Sequence, residues 1–243
     1  MQLFIMISGL LAKDNIGSLK MLMDVVIRRF KQLLIPFILI TIIWGFIVSE
    51  PTMIFTTIFH SGNGYWFLWD LFWICGFFSV ACYFSSKFKI SQIATFLVVF
   101  VFIRLIKELS GGYFDAERIF TLYFVYVLGY LINKYKVLTQ ITESKYRLFA
   151  IFCIIISFIL TSFLWSLSPD NCPLYPISLS SIVNTLPFRV LVSLLGCFSI
   201  LLIFFINDRR NLILNSVGTC SLGLYVVHMR VLDVFCNINS FSI

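Results

Sequence analysis

The sequence predicts an all-α polytopic transmembrane bundle, with about seven complete spans plus a partial one at the N-terminus. Three observations predict it. The 243 residues are 60% hydrophobic and 12% charged, against roughly 25% charged in an ordinary soluble domain. The apolar residues fall in runs close to the ~20 residues that cross a bilayer as a helix. Lysine and arginine gather on every second connection between those runs.

The first apolar run, Leu3 to Ala12, is too short. Ten residues or so make ~15 Å of helix, and the hydrocarbon core is ~30 Å thick. It has neither the basic start nor the cleavage site of a signal peptide. The expectation is a helix half crossed when Met1 is reached, with a surface-lying anchor as the alternative. On the first reading the sequence is a fragment or a shortened gene product.

The spans follow in order. Leu33 to Val48 is uncharged, and Tyr65 to Phe84 carries one charge, Asp70. Ile90 to Ile103 and Ile119 to Asn133 are shorter; they reach full length through Arg104 and Arg118, whose stems can snorkel to the interface. Leu148 to Leu167 and Val190 to Ile206 are uncharged. Leu212 to Phe235 is interrupted by Asn215, Ser216, Thr219, Ser221, His228 and Arg230. None of the runs alternates as a barrel strand would. No linker or repeat divides the chain, so residues 1–243 read as one membrane-embedded domain.

Charge orients the bundle. Lys13, Lys20, Arg28, Arg29 and Lys31 precede the first full span; Lys87 and Lys89 follow the second. Lys134, Lys136, Lys145 and Arg147 follow the fourth, and Arg209 and Arg210 the sixth. The loops from Ser49 to Gly64 and from Ser168 to Leu186 contain no Lys or Arg. Between Arg104 and Arg118 the acids Glu108, Asp115 and Glu117 offset the cations. Cationic loops stay in the cytoplasm, so these four clusters face in. A net charge of +7 then reflects attraction to anionic lipid, with no nucleic acid as partner. The seven cysteines show no ligand spacing and read as small apolar residues; no metal site is expected.

Four segments carry a resemblance: LFIMISGLL (Leu3 to Leu11), RRFKQLLIPF (Arg28 to Phe37), GYWFLWDLFW (Gly64 to Trp73) and SLGLYVVH (Ser221 to His228). In this order and spacing they resemble the acyltransferase-3 family, multispan membrane enzymes that O-acylate sugars and cell-surface glycans. The resemblance implies about ten helices in the family fold, with one and a half upstream of Met1 and one beyond Ile243. It implies transfer of an acyl group, usually acetyl, from cytoplasmic acyl-CoA to a carbohydrate or lipid-linked glycan hydroxyl in the cell membrane. Acyl-CoA enters as donor substrate, and no bound cofactor is implied. The two alternatives are an inactive fragment of such an enzyme and a small-molecule or glycan transporter.

The candidate residues follow from that chemistry. An anionic donor needs fixed cations, and Arg28, Arg29 and Lys31 stand just before a helix start. Arginine forks suit phosphate oxygens, and ordinary positive-inside anchors would look the same. The second arginine of the family pattern appears here as Gln32, or is replaced by Lys31. The attacking hydroxyl must also lose a proton, and histidine is the natural base near neutral pH. The family's catalytic histidine belongs to the first family helix, which this sequence lacks; His228 matches a second family histidine in a supporting role. Trp66, Asp70 and Tyr225 are candidates for the acceptor. Asp70 could hold a sugar hydroxyl or pair with Arg189 or Arg104. Trp66, Trp69 and Trp73 lie at helical spacing, fit for sugar stacking or an interfacial belt.

Overall fold

The computed structural model describes residues 2–47, 66–109, 116–166 and 186–206. These residues are helical nearly throughout: α1 (Gln2–Leu10), α2 (Leu19–Arg29), a π-helical turn (Phe30–Leu34), α3 (Ile35–Ile47), α4 (Trp66–Phe88), α5 (Gln92–Leu109), α6 (Ala116–Lys134), α7 (Val137–Glu143), α8 (Arg147–Ser166) and α9 (Leu186–Ile206). Six of the seven expected spans are thus helices. Leu212 to Phe235 lies outside the described residues.

Two stretches expected as connections are helical. Ser18 caps α2, its side chain accepting from the Met21 amide at 3.3 Å, and α2 runs through the π turn into α3 without a break. The cause of the π turn is visible in sequence. Pro36 has no amide hydrogen, and its ring clashes with the carbonyl four residues back. Widening the preceding turn relieves this, and the Ile35 amide bonds the Phe30 carbonyl, five residues back. The stretch from Lys13 to Lys31 is therefore not a plain loop. The second correction is α7, which occupies half of the connection between α6 and α8.

The bundle is layered around α6, which packs on α1, α4 and α5. Gly9 and Gly129 bring α1 and α6 together: a Cβ on either would meet the other helix's backbone, at Tyr126 and Met6 respectively. Small residues at such crossings are how membrane helices approach without a hydrophobic driving force. Helix α4 lies beside α6 in the same direction, with Phe78 stacked on Phe96 of α5 and edge-on to Tyr126 and Tyr130. Helix α2 and the π turn pack on α4, and α8 packs on α9.

Polarity is inverted relative to a soluble fold. Asp70 is 0% exposed, while Phe149, Phe152, Leu160 and Phe163 stand outward on α8. Large apolar surfaces of this kind mark a lipid environment. Phe67–Phe88 and Arg147–Leu164 have the length and hydropathy of a span; Gln92–Ile106 and Val190–Ile203 are apolar over shorter lengths.

Candidate functional site

Polar groups inside the bundle lie at three levels along α4 and α6. At the end where both helices start, the Asp70 carboxylate meets the Arg118 guanidinium at 3.5 Å. The pairing expected for Asp70 exists, here with Arg118; the side chain of Arg189 lies outside the described ones. Arg104 is satisfied on its own helix by Glu108 at 2.8 Å, four residues on, a spacing that puts both on one face. Arg118 does not snorkel outward as expected. It shares a helical face with Leu122, Val125 and Gly129, the face turned into the bundle, and its side chain keeps 34% exposure beside the sealed carboxylate.

At mid-depth the Cys75 thiol donates to the Tyr126 hydroxyl at 3.7 Å. Ser79 donates to the Cys75 carbonyl at 2.7 Å, as buried helix hydroxyls commonly do. Arg29 comes close enough to act electrostatically on both Cys75 and Tyr126. Arg29 belongs to the inward stripe of its helix with Leu22, Val26, Leu33 and Phe37. Its neighbour Phe30 meets Phe72 of α4 edge-on, ring centroids 6.2 Å apart, and Phe37 meets Trp69. These contacts correct the expected location of the basic trio. It lies within a long helix alongside the body of α4, not in a loop before a span. Within it the structure separates the residues: Arg29 is half-buried, and Arg28 and Lys31 are exposed.

The third level is the end of the bundle where α6 finishes. The Asp14 carboxylate accepts from Tyr130 at 2.7 Å and from Gln92 at 3.3 Å. Lys134 bonds Gln92 and lies 4.0 Å from the same Asp14 oxygen. The Tyr130 hydroxyl, then the Gln92 amide and the Lys134 charge, hold the Asp14 carboxyl below its ordinary range. These groups tie the α1–α2 connection to the facing ends of α5 and α6.

Of the acceptor candidates, Trp66 begins α4. Trp69 and Trp73 continue its stripe with ring centroids 5.8 Å apart. They pack on Phe37 and Phe77, so these two rings are core more than interfacial belt. Tyr225 and His228 lie outside the described residues, as does His60. Sequence reasoning missed Arg118, Tyr126 and the Asp14 group. The available signal was register: Arg118, Leu122, Val125, Tyr126, Gly129 and Tyr130 recur at three- and four-residue steps on one face.

Comparison with known proteins is consistent with this architecture. A family model described as an acyltransferase domain matches residues 1–241. No curated protein and no solved structure matches the chain.

Proposed function

The chain belongs to the acyltransferase-3 family of membrane acyltransferases, and from that premise we propose that it moves an acyl group, acetyl in the first instance, from acyl-CoA to a carbohydrate hydroxyl. The acceptor oxygen attacks the thioester carbonyl and its proton passes to a base. The carbon–sulfur bond then breaks, and coenzyme A leaves as the thiolate. His228 supports that proton transfer in this reading.

The observation that carries the reading is Arg29. A guanidinium on the inward face of a membrane helix is costly to keep there and marks a functional site by default. It is half-buried on the helix that packs along α4, where its neighbour Phe30 meets Phe72, a setting suited to an anion drawn in from water. Arg28 and Lys31, one residue before Arg29 and two after it on the exposed side, hold the outer phosphates of the donor. Because the trio lies beside the body of α4, the donor enters the bundle instead of resting on its rim. At the opposite end Asp70 orients Arg118, whose partly exposed guanidinium, with Trp66 and Tyr225, receives the acceptor. The bundle crosses the plasma membrane about seven times, with the cationic turns in the cytoplasm.

The test is transfer of labelled acetyl from acetyl-CoA to glycan by membranes holding the chain. Arg29→Ala is expected to raise KM for acetyl-CoA by roughly 10- to 100-fold, the worth of one charge-assisted hydrogen bond. Unchanged KM in that variant removes Arg29 from the donor site. Movement of unacylated glycan across the membrane without label transfer would favour a transporter.

A further inference from the structure

A cavity of about 370 Å³ opens at the cationic end of the bundle, and neither Arg29 nor Asp70 lines it. Its walls are mostly apolar, built by Leu10 at the end of α1 and Leu11 after it, Leu138 of α7, and Leu201 and Phe205 of α9. Lys136 lines the same cavity and is exposed. Asn133 also lines it, but its amide is already committed to the Leu10 carbonyl at 2.7 Å. Lys136 is the hinge between α6 and α7, in the left-handed region at φ 51°. Among the described residues it makes no ion pair, whereas Lys134 nearby is engaged by Gln92 and Asp14.

We propose that this cavity binds one anionic glycerophospholipid, an acyl chain lying in the leucine trough and the phosphate at Lys136. Charge complementarity names the occupant. The same end of the bundle carries Lys13, Lys87, Lys89, Lys145 and Arg147, and the acid nearest the core, Asp14, is consumed by its own hydrogen bonds. The local field therefore favours a negative headgroup. The apolar trough selects a lipid over a soluble phosphate, which would leave those walls in water. The site touches α1, α6, α7 and α9, and of these α1 and α9 pack on each other far less than α1 and α6 do. An occupied site would clamp α1 against α9.

The experiment uses the full chain purified in detergent and titrated with phosphatidylglycerol, phosphatidylcholine or glycerol phosphate. Binding is read by native mass spectrometry and by the shift in melting temperature. The expected result is a phosphatidylglycerol adduct with a raised Tm, and weaker effects from the other two. Lys136→Asn should weaken phosphatidylglycerol binding roughly fivefold, the contribution of one cation near anionic lipid. Asparagine tolerates the left-handed backbone, so the turn is kept. Lys136→Arg should restore binding, and Lys145→Asn should leave it unchanged. Equal binding of phosphatidylcholine, equal stabilisation by glycerol phosphate, or equal losses in Lys136→Asn and Lys145→Asn would each overturn the proposal.

Discussion

Asp70 is the residue on which burial and charge conflict most sharply. Its side chain is fully buried and its counter-charge, Arg118, is 3.5 Å away. Desolvating two charges costs as much as their attraction returns, so such a pair is weak evidence for stability by itself. Removing one partner is different, because the buried carboxylate then loses its guanidinium. Arg118→Ala is therefore expected to destabilise by about 3–5 kcal/mol. The double variant Asp70→Leu with Arg118→Leu should stay within about 1 kcal/mol of the parent. Thermal unfolding in detergent measures both. The double variant also separates roles: if Arg118 receives the acceptor, the protein folds and transfers nothing. Retained transfer would make the pair purely structural. The existence of this pair was legible in sequence, since a lone acid in an apolar span needs a cation. Its partner was not. Arg104 and Arg118 flank one connection, and only the rotation of α5 and α6 about their axes decides which turns inward.

Helix α1 depends on two glycines. At Gly129 an added methyl group would strike the Met6 backbone, and at Gly9 the Tyr126 backbone. Backbone cannot rotate away as a side chain can, so α1 and α6 must separate. Alanine would normally favour a helix by roughly 0.5–1 kcal/mol over glycine. Overpacking of this kind costs about 1–3 kcal/mol or more and wins. Gly76 on α4 is the control, because a methyl group added there would meet nothing within 4 Å. Gly129→Ala is expected to lower the melting temperature and Gly76→Ala to raise it; the same sign for both would refute the close-approach account. In the sequence Gly9 stands out as part of a family-like segment and Gly129 does not, because a close approach is a property of two helices at once. Helix α2 was hidden for a related reason. Its charges suggest a loop, while Leu22, Val26, Leu33 and Phe37, at four-, seven- and four-residue steps, form a stripe on one helical face.

The whole molecule is organised by its solvent. Large apolar side chains face outward as well as filling the core, and the buried Asp70 meets Arg118, so orientation must come from the turns. Lys87, Lys89, Lys134, Lys136, Lys145 and Arg147 all fall at one end of the bundle. At the other, Arg104 and Arg118 are neutralised by Glu108 and Asp70. This neutralisation sharpens a contrast that the linear sequence showed only in part, because counting residues cannot tell a paired arginine from a solvated one. A free cation near the surface gains about 1 kcal/mol from an anionic cytoplasmic leaflet, and several together leave the opposite orientation sparsely populated. An impermeant amine reagent applied to intact cells should thus leave Lys13 and Lys145 unmodified, and the same reagent should modify both in inverted vesicles, as read by peptide mass spectrometry. Modification of Lys145 in intact cells would place the cationic end outside. The phosphates of a cytoplasmic donor would then approach from the end marked by Asp70, and Arg29 could not be the first cation they meet.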